Sequence, residues 1–161
     1  MGHLPLEELR QKIRDAFPPQ VFYGVVTTCP CEECLEISQG LRLKSWDQIP
    51  VEFLDFTCCP ALLSTEAFLA FLPAYLVRGL EHENVAELTV YCLCPNPEPD
   101  VPAINTQIEE RAALMNSEQI EAIRSFLVYV VASLADYCLL RGFIELGLST
   151  VWNRPAKRTR E

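Results

Sequence analysis

Between Arg124 and Arg141 the chain reads SFLVYVVASLADYCLL, sixteen residues broken only by Asp136. No other stretch limits the fold so strongly. A bilayer span needs about 20 apolar residues, so this run is too short for a membrane and too apolar to lie in water. It reads as the buried central helix of a globular chain, around residues 118 to 141, whose middle is apolar nearly all round. Asn116 or Ser117 caps its start, and Gly142 and Gly147 are its weak points.

The remaining segments supply helices to surround it. Leu6, Leu9, Ile13 and Ala16 recur at helical spacing behind Pro5, and FPPQ ends that first helix. LLSTEAFLAFLPAYLVRGLEHEN is a helix capped by Ser64, with Phe68, Phe71, Leu72, Tyr75, Leu76 and Leu80 on a broad apolar face. Pro73 inside it predicts a kink or a restart. EECLEISQ is a short helix expected to end at Gly40 in a left-handed cap. Ser45 and Gln48 form a capping box, and PVEFLDF is another short helix. NVAELTVYCLC is helical or extended, and PNPEPDVPAIN is a proline-rich loop. Only VFYGVVTT reads as a strand, with no second strand to pair with it. These readings give a mainly α, single-domain helical bundle around a buried C-terminal helix, with at most a minor β element. The domain spans residues 1–152, and residues 153–161, NRPAKRTRE, form a basic tail.

Chemistry concentrates in the cysteines. Three stand in CPCEEC, at Cys29, Cys31 and Cys34, ahead of Cys58 and Cys59, then Cys92 and Cys94, then Cys138. The first residues lack the apolar run of a signal peptide, so the expectation is a cytoplasmic chain with thiols or metal ligands rather than disulfides. C-x-C-x-x-C offers three soft ligands on one turn, and Cys58, Cys59, Cys92 or Cys94 could add a fourth for tetrahedral zinc. The expected ligand set is Cys29, Cys31, Cys34 and Cys59 around one structural zinc. The competing expectation is no cofactor at all. Cys58, Cys59, Cys92, Cys94 and Cys138 otherwise behave as small core hydrophobes. Glu32 and Glu33 disfavour a lowered thiol pKa, which argues against a nucleophilic or redox role.

The remaining candidates for catalysis are thin. His3 and His82 are the two histidines, with no third group placed around either, and the six glycines form no phosphate-cradling loop. The expectation is a protein that is not an enzyme. Its formal net charge of −9 argues against a nucleic-acid partner.

Trp46, Ile49-Pro50, the segment from Leu62 to Leu76 and that from Ser117 to Leu127 follow a recognisable order, with LPAYL as the most specific block. In these the chain resembles an uncharacterised bacterial family of small helical proteins, over most of residues 6–135. The resemblance implies a mainly helical domain from a bacterium and carries no activity with it.

The resulting functional expectation is an intracellular protein-binding module, an immunity or inhibitor protein that occludes a bacterial toxin or effector. Glu81, Glu83 and Glu87 would meet a basic protein partner, since an acidic field speeds such an encounter. The alternative is a metal-binding accessory protein that uses the Cys29–Cys34 segment, with a small enzyme third. Neither nucleic acid nor membrane is expected as a partner.

Overall fold

A computed structural model of the chain describes residues 4–56, 59–98, 102–133 and 138–153. Among them are eight α-helices: α1 (Leu6–Ala16), α2 (Glu32–Leu41), α3 (Val51–Phe56), α4 (Thr65–Gly79), α5 (Glu83–Leu93), α6 (Pro102–Ala113), α7 (Ser117–Ser133) and α8 (Cys138–Ser149). Three single 3-10 turns occur at Trp46–Gln48, Pro60–Leu62 and Val151–Asn153. No described residue belongs to a strand, so the protein is mainly α. Contacts divide it into two compact units, Phe17–Thr89 and Met1–Ala16 with Val90–Glu161. The boundary between Thr89 and Val90 falls inside α5.

In the Phe17–Thr89 unit, α4 is the organising element. Ser64 caps it as expected, its Oγ accepting from the Ala67 amide at 3.1 Å. Phe68, Phe71, Leu72, Tyr75 and Leu76 are all buried. Pro73 neither ends nor restarts the helix, which runs unbroken from Thr65 to Gly79. Burial of each large apolar side chain contributes about 1.5–3 kcal/mol, and five of them outweigh the roughly 3 kcal/mol that an interior proline costs.

The VFYGVV segment forms no strand. Its polar groups go to separate partners: Phe22 N donates to Lys44 O at 3.0 Å, Val26 O accepts from Ser64 N at 2.8 Å, and Val25 O accepts from Ser64 Oγ. The segment is thus an extended strap tied to the N-terminus of α4, with Phe22 edge-on to Phe71 at 5.6 Å between ring centroids.

Two local signals at the next turn behave differently. Gln48 Oε1 accepts from the Ser45 amide at 3.0 Å, as the capping box predicts, and Trp46 Nε1 donates to Phe17 O at 2.8 Å. Gly40, by contrast, does not cap α2. It lies within the helix, where a Cβ would collide with the Phe53 ring. The left-handed position falls on Leu43 instead, at φ 58°. Helix α3 packs on α4, and Arg78 donates from Nε and Nη2 to the Asp55 carboxylate at 2.8 and 2.7 Å.

In the other unit, α1 packs along α7, and Lys12 Nζ donates to Ser125 Oγ at 2.9 Å and Glu121 Oε1 at 3.3 Å. Asn116 caps α7 reciprocally: its Oδ1 accepts from Gln119 N at 2.9 Å, and Gln119 Oε1 accepts from Asn116 N at 3.1 Å. The long central helix is corrected in two respects. Helix α7 ends at Ser133 and a separate α8 starts at Cys138, with 134–137 outside the described residues. Its burial is also confined to one face, formed by Ala122, Ile123, Phe126, Leu127 and Val130. The proline-rich loop is shorter than expected, because Pro102 opens α6, which buries Ile108, Arg111 and Ala112. Trp152 closes this unit: it is buried, its Nε1 donates to Leu93 O at 2.8 Å, and Arg124 Nη1 donates to its carbonyl at 3.0 Å. The basic tail from residue 154 onward lies outside the described residues.

Candidate metal centre

The CPCEEC segment lies where the strap turns into α2. Cys31 is the N-cap residue of that helix, with extended dihedrals of φ −69° and ψ 160°. Cys34 follows at the third helical position. N-cap and third-position side chains face one another across the first turn, the relation a capping box exploits. Here sulfur replaces the usual oxygen pair. The Sγ atoms of Cys29, Cys31 and Cys34 all lie within 4.8 Å of one another, and all three cysteines are free.

The three differ in access. Cys29 and Cys31 are exposed, whereas Cys34 has 0% exposure. A hydroxyl pair holds the strap against the helix at this point. Thr27 Oγ1 donates to Cys34 O at 3.1 Å and shares a 2.8 Å hydrogen bond with Ser38 Oγ. Nothing in the spacing of Thr27 and Ser38 singles them out, because they meet only once the strap folds back along α2.

The sulfurs also polarise one another. Hydrogen bonds from the Cys29 side chain, and from the backbone and side chain of Cys34, lower the Cys31 pKa. The Cys34 thiol is pushed up to about 12, first by its hydrogen bond to Cys31 and then by burial. The acidic neighbours do act in the expected direction, since Glu33 raises the Cys31 pKa, but that influence is the smallest of those acting on it. Hydrogen bonds among the three cysteines therefore outweigh the solvated carboxylate, and the Cys31 thiol is lowered where its acidic neighbours alone would raise it.

Of the other cysteines, Cys59 is half-buried and stands outside the three-sulfur cluster. Cys94 is buried, and burial pushes its thiol up to about 12, as for a small core hydrophobe. Cys92 is half-buried. Cys58 and the Cys138 side chain lie outside the described residues, as does His3. Of the proposed partner-binding carboxylates, Glu81 and Glu83 are exposed and Glu87 is half-buried. His82 stands 3.8 Å from Asp55, through Nε2 and Oδ2, beside the Arg78 pair, a grouping that its acidic sequence neighbours gave no hint of.

A groove of about 780 Å³ lies elsewhere, between α1 and α7. Its cations are already engaged, Lys12 with Glu121 and Ser125, and Arg124 with Glu121 and the Trp152 carbonyl. The cysteine cluster is the stronger chemical candidate.

The donor set fits a soft ion. Tetrahedral zinc with Zn–S bonds of 2.3 Å requires sulfurs about 3.8 Å apart, roughly 1 Å closer than the upper bound seen here. Rotation of the two exposed side chains about χ1 can supply that contraction. No helix among the described residues is long and apolar enough to cross a membrane. No family model, curated protein or solved structure matches the chain.

Proposed function

We propose that the protein is a metal-binding accessory protein that holds one zinc ion on the thiolates of Cys29, Cys31 and Cys34. The single observation behind this reading is the convergence of three sulfurs within 4.8 Å at the start of α2. No fourth Cys, His, Asp or Glu joins them among the described residues. Three protein ligands leave a zinc ion one position for water or an incoming ligand, whereas purely structural zinc sites are closed by four. An open site with two exposed ligands suits an ion that is exchanged or presented. Metal binding would also couple to local folding by tying the strap to α2.

The test is equilibrium dialysis of reduced protein against zinc, followed by elemental analysis. One zinc per chain is expected in the wild type and in Cys94→Ser, and none in Cys31→Ser. Wild-type protein that retains no zinc would end this reading.

A second reading, a bacterial immunity or inhibitor protein that occludes a basic toxin or effector, is supported by the exposure of Glu81 and Glu83 beside a cation, Arg78, already engaged by Asp55. Such an encounter is steered over a Debye length of about 8 Å at physiological salt. Charge reversal at Glu81, Glu83 and Glu87 should then slow association with the partner, and added salt should do the same. Association insensitive to both would remove this reading.

A further inference from the structure

The same three sulfurs are arranged for a second chemistry that needs no metal. The geometry points to a two-electron thiol–disulfide couple between Cys31 and Cys34, which reduces a small disulfide with Cys31 as the attacking sulfur.

Access sets the order of events. Cys31 stands exposed at the N-cap of α2, where a disulfide can approach it, and Cys34 is fully buried one turn further on. A substrate can meet the first and is screened from the second. Residues three apart across a helical turn have Cα atoms about 5–6 Å apart, inside the 4.4–6.8 Å window that a disulfide tolerates. The two sulfurs already lie within 4.8 Å. Side-chain rotation can therefore close the bond without unwinding α2. Cys29 is the competitor for Cys31. That pairing would close a short, stiff loop through Pro30, which resists closure.

The reaction balances as an exchange. The Cys31 thiolate attacks one sulfur of the substrate, the substrate S–S bond breaks, and its other half leaves as a thiolate that takes a proton from water. Cys31 now carries a mixed disulfide. Cys34 attacks the Cys31 sulfur and passes its proton to the second half of the substrate, which leaves as a thiol. Two electrons pass from the cysteine pair to the disulfide, which ends as two thiols. One thiol, Cys29, then remains in the cluster, so oxidation also removes two of the three proposed zinc ligands. The couple rests on the same cluster as the metal reading but does not require an ion.

The test uses the whole chain, reduced and metal-free, held without oxygen in mixtures of reduced and oxidised glutathione. The products are alkylated and mapped by mass spectrometry. The expected product is a Cys31–Cys34 disulfide, with Cys29 and Cys94 still free to alkylate. In Cys34→Ser glutathione should accumulate on Cys31, and in Cys31→Ser the rate of thiol loss from the cluster should fall about tenfold. Because Cys34 is buried, circular dichroism of its variant accompanies the assay, and the wild-type map decides the pairing independently of any variant. A Cys29–Cys31 bond, glutathione resting on Cys29 alone, or a cluster still reduced at the most oxidising ratio would overturn the assignment. Zinc dialysis of the reduced protein separates the two readings. A chain that forms the bond without binding zinc loses only the metal reading, and one that binds zinc without forming the bond loses only the couple.

Discussion

Replacing Gly40 by alanine sets two effects of similar size against each other. Within a helix, alanine is favoured over glycine by about 1 kcal/mol. At this position the new Cβ would overlap Cε2 and Cζ of Phe53, so either the ring moves or α2 shifts on α3. Overpacking of this kind costs about 1–3 kcal/mol. Phe53 is half-buried and can partly swing outward, which places the cost near the middle of that range. The expected net effect is a loss of about 1 kcal/mol. In a Phe53→Ala background the obstacle is gone, and the same substitution should stabilise by about 1 kcal/mol. The cycle therefore has a sign change and a coupling of about 2 kcal/mol, within the range seen for residues in contact. Urea unfolding of the four proteins, followed by circular dichroism, measures it. Equal effects in both backgrounds, or a stabilised single variant, would refute the close approach of α2 and Phe53.

Other consequences concern charge and the two cores. Arg78 holds the Asp55 carboxyl below its usual range, with burial opposing it and His82 adding a smaller pull. The stability this provides is complete above the ordinary carboxylate pKa and is lost as pH falls through the lowered folded value. Arg78→Ala should cost about 2 kcal/mol at neutral pH, and its gap from wild type should narrow on acidification; a gap that stays constant down to about pH 3 would count against the pair. Leu76→Asp should leave the Phe17–Thr89 unit unfolded, because a carboxylate at a position with 0% exposure cannot be solvated, and unchanged melting would show the core misplaced. Trp152→Phe removes the indole donor from Leu93 O and should lower stability by about 1–2 kcal/mol; an unchanged denaturation midpoint would mean that water replaces the donor.

The elements legible in the sequence are those whose signals are local. Ser64, Asn116 and the Ser45–Gln48 pair announce helix starts because a capping side chain acts on an amide two or three residues away. Helix α6 escaped notice because its apolar face is thin, with Ile108 and Ala112 sharing it with a buried arginine behind a run of prolines. VFYGVV has strand composition, but its hydrogen bonds are claimed by Lys44 and Ser64, residues distant in sequence. Gly40 carried the composition of a cap and the duty of a contact surface, and only the position of Phe53 separates the two. The cluster was readable from spacing as far as Cys29, Cys31 and Cys34. The contrast between exposed Cys31 and buried Cys34 was not, because it depends on which face of α2 turns inward.

The division of the chain also bears on the order in which its parts can form during synthesis. The unit of Phe17–Thr89 is one continuous stretch and can complete itself as soon as that stretch has left the ribosome. Helix α1 has to wait. Its contact with α7 joins residues as far apart as Lys12 and Glu121, a separation of 109 positions. At about 5–20 residues per second, that is a delay of roughly 5–20 s. Through that interval Leu9, Ile13 and Ala16, all buried in the finished fold, present an apolar stripe on a helix that emerges well before its partner. A chaperone that recognises nascent apolar segments would meet α1 before α7, and would be displaced only when α7 arrives.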